Sequence, residues 1–173
     1  ATSPDSVRAL VAINTFGWPP EQPALRRMLR FVGGRPFRSF NVATNLVPRL
    51  TATKGGVGRH LDRAARDAFL APYRARPDVR RTFHALMHDA ATDADLMAPV
   101  EQALAGALHD RPLLTIFGER NDPFGFQDRW GLLMPNGQHE VVAGGNHFPM
   151  ADAPDDVARW IRDWMEETGA EHG

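Results

Sequence analysis

The sequence of 173 residues has the length of one domain, and its 43% hydrophobic content is enough to build a core. Its 20 basic and 21 acidic side chains nearly balance, so nothing favours a nucleic-acid partner or binding to an anionic membrane. There is no cysteine and no apolar run of the roughly 20 residues that a membrane span needs. We therefore expect a cytoplasmic protein with a small-molecule substrate, no cofactor and no metal.

The first half of the chain changes from a strand pattern to helical patterns. Leu10–Ile13 is a short apolar run followed by the breaker-rich segment 14–20, which is typical of a buried parallel strand. In the next helix Leu25, Met28 and Leu29 share one face, and the pair Gly33 and Gly34 ends it. Periodicity predicts further helices over 37–50, 62–70, 78–89 and 93–108. Residues 20–108 are thus predicted to form a helical insertion.

The second half returns to strands. Residues 113–117 and 139–143 are predicted strands, each followed by a polar turn. The last segment carries Asp152 and Pro154, which suit the start of a helix, and then one apolar stripe. That stripe consists of Val157, Trp160, Ile161, Trp164 and Met165. Strands that alternate with helices predict an α/β fold with about three parallel strands, in which residues 1–19 and 109–173 form the core portion.

Two residues with catalytic chemistry follow these strands. Asp122 and His147 come just after the ends of the second and third strands, where parallel α/β sheets gather their ligands. A carboxylate that accepts the Nδ1 proton of an imidazole fixes its tautomer and leaves Nε2 to act as a base. The sequence therefore predicts an acid and base pair.

These motifs resemble the C-terminal half of the α/β-hydrolases. Residues 113–123 look like the seventh strand and acid turn, and 145–157 look like the histidine loop and final helix. Residues 7–11 are similar to the segment entering the sixth strand, and 18–108 occupy the place of the helical cap, or lid. The sequences of the cap and the acid turn resemble the haloalkane dehalogenase and epoxide hydrolase branch more than the lipases. The resemblance implies a triad of nucleophile, histidine and acid.

The nucleophile of that triad is absent from the sequence. No glycine is followed two residues later by Ser, Asp or Cys, so there is no nucleophile elbow. Some members of the family carry the acid after the sixth strand, but that position is Asn14 here. The reaction, on an ester, a carbon–halogen bond or an epoxide, would depend on a residue outside this sequence. We expect this chain alone to be inactive.

Each candidate residue also has a structural alternative. His147 could be a loop histidine with structural hydrogen bonds. Asp122 could cap the helix after it, since Asp-Pro often begins one, and Glu119 would then be the fallback acid. His84 and His88 have zinc-binding spacing without a third ligand, so packing or a solvated role is favoured. An arginine-rich stretch with interleaved acidic residues is typical of a salt-bridged surface. Its arginines are at positions 59, 63, 66, 74, 76, 80 and 81.

Two interactions of the folded chain can also be anticipated. The insertion would present apolar groups to the substrate, and the candidates are Trp18, Phe37, Phe40, Leu46 and Phe83. In the family's strand order, one edge of the first strand would be exposed and would invite pairing with another chain. That partner would be a second copy or the missing N-terminal half. The alternative function is a non-catalytic binding or assembly module, or an inactive truncated product, derived from this fold.

Overall fold

The computed structural model describes residues 3–53, 56, 62–92 and 94–170. Its centre is a parallel sheet of three strands in the order β1, β2, β3. These are β1 (Leu10–Ile13), β2 (Leu113–Gly118) and β3 (Gln138–Val142). In register, Leu10 lies opposite Leu113 and Leu114 lies opposite Gln138. All three strands lie within a residue of their predicted positions, so the predicted α/β class is confirmed.

Helices connect and cover the strands. Six lie between β1 and β2: α1 (Pro23–Gly33), α2 (Arg35–Thr44), α3 (Leu46–Thr51), α4 (Arg63–Ala75), α5 (Pro77–Thr92) and α6 (Ala94–Ala105). The other three are α7 (Phe126–Leu133), α8 (Pro149–Asp152) and α9 (Pro154–Thr168). Among the described residues no helix is both long and apolar enough to span a membrane.

The helix predictions differ from the structure in their bounds, most of all over 37–50 and 62–70, whereas α5 and α6 end within three residues of their predicted ends. The helix predicted over 37–50 is divided into α2 and α3, because Asn45 has a left-handed backbone with φ of 58°. Asparagine tolerates that conformation better than most residues. The helix predicted over 62–70 continues to Ala75 and contains Pro72. Asp62 precedes this helix, and its side chain accepts a hydrogen bond from the Ala65 amide at 2.7 Å.

The core has one cluster on each face of the sheet, because every residue of β2 is buried and its side chains alternate between the faces. One cluster lies under α9 and contains Leu114, Ile116, Val142, Val157 and Trp164. The apolar stripe of the last helix is therefore confirmed as a sheet-covering face. The other cluster contains Ala12, Trp18, Leu104, Leu108, Leu113, Phe117, Trp130 and Met134.

The helical insertion is joined to the core at its C-terminal end. Leu104 and Leu108 are 2% and 4% exposed and belong to the cluster around Trp18. Arg129 of α7 binds Glu101 of α6 and Glu21, and its guanidinium lies 4.8 Å from the Trp18 ring centroid. The division at residue 108 remains a prediction, but the last residues assigned to the insertion pack on the sheet.

The sheet has two different edges. The Leu10 amide donates to the Pro112 carbonyl, and the Asn14 amide donates to the Ile116 carbonyl of β2. Because successive residues of a parallel strand direct their backbone groups to opposite sides, those of Val11 and Ile13 point away from β2. Within the described parts of the chain no strand lies on that side. This edge is wholly apolar, whereas β3 begins with Gln138, His139 and Glu140. Charged and polar residues discourage strand pairing, so β1 is the less protected edge.

Candidate functional site

Asn14 ties together the carboxyl ends of all three strands. Its Oδ1 accepts from the Gly118 amide at 3.0 Å, and its Nδ2 donates to the Asn146 carbonyl at 2.8 Å. The side chain is 8% exposed, and the backbone has a positive φ of 42°. Left-handed backbone is unusual outside glycine and marks a conformation that the surroundings impose. Asn14 is therefore a structural link at the position where an acid was considered and excluded.

The histidine loop is braced on both sides. The Asn146 amide donates to Asp152 Oδ2 at 2.7 Å, and the Arg120 amide donates to the Gly145 carbonyl at 3.0 Å. Gly144 has a positive φ of 61°, which allows the sharp turn after β3. These contacts fix the backbone immediately before His147.

A close backbone approach between Gly118 and this loop gives a testable prediction. A Cβ atom on Gly118 would lie 2.1 Å from the Asn146 carbonyl oxygen and 2.7 Å from the Gly145 carbonyl carbon. Gly118→Ala must therefore displace the loop, and we expect a loss of about 1–3 kcal/mol in the free energy of unfolding. Urea unfolding of the chain measures that loss.

A second glycine provides the control for that experiment. A Cβ on Gly131 of α7 would meet the Nε2 and Cε1 atoms of the exposed His139 ring at 3.2 and 3.7 Å, and it would meet no backbone atom of another described segment within 4 Å. Gly131→Ala should be neutral or stabilising, because alanine favours a helix. Equal losses in the two variants would contradict the proposed tight contact at Gly118.

The His147 ring has one defined hydrogen-bond partner. Its Nδ1 atom lies 3.0 Å from Nδ2 of Asn121, the residue before Asp122. The Phe148 ring stands edge-on to it, with centroids 4.8 Å apart. Partial burial of the imidazole lowers its pKa below the usual value for histidine, because burial disfavours the charged form.

The structure does not bring Asp122 onto His147 as predicted. Both Asp122 oxygens accept from the start of α7: Oδ1 from the Phe126 amide at 2.7 Å and Oδ2 from the Gln127 amide at 2.9 Å. Asp122 therefore caps α7, which is the structural alternative to the catalytic role. Its carboxylate supplies acceptors to two amides that have no partner within the helix. The fallback acid, Glu119, accepts from the Gly144 amide at 2.5 Å. The catalytic roles of Asp122 and His147 stay predictions.

An apolar cleft opens beside His147. Its volume is about 360 Å³, which is within the range for small-molecule sites. It is lined by residues 13–16 at the end of β1 and just after it, by His147, Phe148 and Met150, and by Met97 of α6. The insertion thus contributes to the cleft through Met97. No sequence signal identifies Met97 or Met150 as lining residues, since isolated methionines are common in helices.

The five predicted substrate residues lie elsewhere in the part of the chain that the structure describes. Trp18 is fully buried in the core, and Phe40 is 54% exposed. Phe37 stacks on His84, and Phe83 meets the Tyr73 ring edge-on. Leu46 is half-buried at the start of α3. None of them lines the cleft beside His147.

The structural alternatives for the other polar groups are supported. His84 is 2% exposed, and its Nε2 lies 3.2 Å from the Gly33 carbonyl oxygen, so it joins α5 to α1. Among the described residues no three His, Cys, Asp or Glu side chains could hold a metal. Arg74 pairs with Asp67 and Arg76 with Asp78, as expected of a salt-bridged surface. Residue 59 of that stretch lies outside the described residues.

Solved structures match nearly the whole chain. An ancestral haloalkane dehalogenase is 23% identical with a TM-score of 0.73, over 98% of this chain and 63% of its own. Haloalkane dehalogenase DbeA from Bradyrhizobium elkani is 17% identical with a TM-score of 0.76, over 98% and 63%. A thermophilic esterase from Thermogutta terrifontis is 17% identical with a TM-score of 0.56, over 95% and 58%. No protein-family model matches the sequence, and no curated protein does.

These similarities define the fold. The chain has an α/β fold with a parallel sheet whose polar turns gather at the carboxyl ends of the strands. In particular, it has the C-terminal part of the α/β-hydrolase fold, as found in haloalkane dehalogenases. It spans 63% of the length of the two dehalogenases above. The resemblance predicted from the acid turn and histidine loop is confirmed at the level of fold.

Proposed function

We propose that this chain is the histidine-and-acid part of an α/β-hydrolase acting on a small, mostly apolar substrate, with the nucleophile supplied from outside this sequence. The observation that carries the proposal is the position of His147. It lies after β3, at the carboxyl end of a parallel sheet, and faces a cleft lined by Phe16, Met97 and Met150. An imidazole with a lowered pKa is neutral near pH 7, which is the charge state that a general base requires.

Asp122 is the acid in this proposal because of its place after β2, one residue from the ring's partner. For it to act, its carboxylate must reach Nδ1 of His147, where Asn121 lies in this structure. Its oxygens would then either give up the hydrogen bonds from the Phe126 and Gln127 amides or keep them while also accepting from the ring. Sharing is chemically reasonable, since an ionised carboxylate can accept about four hydrogen bonds.

The same proposal assigns the nucleophile to a segment that adds a strand to β1. Val11 and Ile13 direct their backbone groups to the open side, and the Val11 side chain is 42% exposed. A strand placed there would run beside the cleft, with its carboxyl end near Asn14 if it is parallel. A nucleophile at that end would be close to His147. The edge of β3, which begins with three polar residues, suits such pairing less well.

The open edge also supports a second candidate function, a non-catalytic assembly module. A second copy of the chain could pair with β1 through the same backbone groups. In that case His147 would have no nucleophile to activate, and the cleft would be a binding site only. The two candidates differ in what covers β1.

The intact mass of the protein in its source cells, with its N-terminal sequence, distinguishes the two candidates. A longer protein with a Gly-x-Ser-x-Gly or Gly-x-Asp element would support the hydrolase, and assays would then follow. Ester hydrolysis, halide release and epoxide opening test the three substrate classes. A mass equal to this chain, together with no turnover, would instead favour the assembly module, and sedimentation would show whether two copies pair.

A further inference from the structure

The hydrogen bond between Asn121 and His147 restricts the state of the imidazole. In this orientation of the Asn121 amide, its Nδ2 lies 3.0 Å from the ring's Nδ1, and an amide nitrogen only donates, so Nδ1 is the acceptor. In a neutral imidazole the proton then sits on Nε2. A ring in that tautomer cannot accept a proton at Nε2, which is the atom a general base of this kind uses.

The carboxylates of the neighbouring loops are held by backbone amides. Asp122 binds the first two amides of α7, Glu119 binds the Gly144 amide, and Asp152 binds the Asn146 amide. The ring's defined partner is an uncharged amide in place of a carboxylate. An amide partner gives an imidazolium no charge stabilisation, whereas a carboxylate would.

We propose that Asn121 holds His147 in a resting tautomer, protonated on Nε2, and that the working tautomer requires Asp122 to take the place of Asn121 at Nδ1. Asn121 is then a positioning residue, which acts through His147. The proposal rests on the proposed function, since a resting and a working tautomer differ in function only if His147 acts as a base. Its measurable part concerns this chain alone.

The turn that carries both residues suits such an exchange. The Asn121 amide donates to the Gly118 carbonyl at 2.9 Å, which places Asn121 and Asp122 on one tight turn. Gly125, with a positive φ of 66°, lies between Asp122 and α7, and its amide donates to the Asp122 carbonyl at 3.3 Å, so the exchange has to release the hydrogen bonds of Asp122 with the helix start. During the exchange the proton leaves Nε2 and one is taken up at Nδ1, so the net charge of the ring is unchanged.

Nitrogen-15 NMR of this chain tests the proposal. The chain has seven histidines, so the His147 signals are identified as those that His147→Gln removes. We expect the neutral ring to carry its proton on Nε2. In Asn121→Asp a carboxylate replaces the amide, and we expect the proton to move to Nδ1 and the pKa of His147 to rise by about one unit or more.

Asp122→Asn is the matched control, because it changes the adjacent carboxylate to an amide at the start of α7. We expect it to leave the tautomer and the pKa of His147 unchanged. Two results would overturn the proposal: a proton on Nδ1 in the unmodified chain, or a response to Asp122→Asn as large as that to Asn121→Asp. Neither readout needs turnover, so the proposal can fail while His147 is still required for hydrolysis, and the reverse also holds.

Discussion

Replacing His147 with alanine in the complete hydrolase that we propose is expected to lower kcat/KM by about 10⁴-fold or more. The expectation follows from the proposed role, because without the imidazole nothing accepts the proton of the nucleophile or of the attacking water. The side chain borders the cleft and lies outside both core clusters. The free energy of unfolding should therefore change little. Steady-state kinetics and urea unfolding of the same variant measure the two quantities.

His88→Ala provides the matched control for this experiment. His88 is exposed on α5, within the helical insertion, so its removal also deletes an imidazole but leaves the cleft intact. We expect kcat/KM of this variant to stay within about twofold of the unmodified enzyme, since exposed substitutions usually have small effects. Full activity of His147→Ala would remove the base from the proposal.

The second large effect is expected at Trp18. Its ring is fully buried and contacts Phe126 edge-on at 5.9 Å and Trp130 at 5.3 Å. Trp18→Ala removes these contacts and leaves a cavity, which costs about 3–5 kcal/mol in the free energy of unfolding. For a domain of this size the corresponding fall in Tm is roughly 10 °C. Calorimetry or thermal unfolding by circular dichroism would measure it.

Trp18→Phe separates packing from polarity at the same position. The buried indole Nε1 has no hydrogen-bond partner among the described residues, so phenylalanine loses no hydrogen bond there. We expect Trp18→Phe to lose much less stability than Trp18→Ala. Phe40→Ala, at a residue that is 54% exposed, should change the free energy of unfolding by no more than about 0.5 kcal/mol. A stable Trp18→Ala with altered substrate binding would contradict the core role and support the sequence-based assignment of Trp18 to the pocket.

The strands and the last helix could be predicted because their signals are local. Residues 113–117 are apolar except for Thr115, as is typical of a strand buried on both faces, and α9 has one apolar stripe. The division between α2 and α3 had no such signal. It depends on one left-handed residue, Asn45, which tertiary packing selects from several asparagines in the sequence.

At the candidate site, the position of His147 was predictable and its partner was not. Asn121 and Asp122 are adjacent, so both lie at the end of β2, and the rotation of the turn decides which one reaches the ring. That rotation is linked to the hydrogen bonds of Asp122 with the α7 amides, an interaction between a loop and a helix start. Strand periodicity contains no information about it.

The assignment of Trp18 to the pocket stays a prediction, and the structure places this side chain in the core. An aromatic residue after a strand end is equally suited to a pocket and to a core. The position of α7 decides between them, because its Phe126 and Trp130 rings pack against the Trp18 ring. The cleft is instead lined by the short segment 13–16 and by two methionines, whose flexible side chains adapt to irregular surfaces.

The unequal edges of the sheet have a consequence for handling the chain in the laboratory. Because β1 is apolar and β3 begins with polar residues, self-association should begin at β1 and should be sensitive to a single charge there. Val11→Lys places an ammonium group on an exposed side chain of that strand and leaves the buried Ala12 untouched. Such a variant offers a route to concentrated samples of the chain for spectroscopy, and it would at the same time block any strand that has to add there.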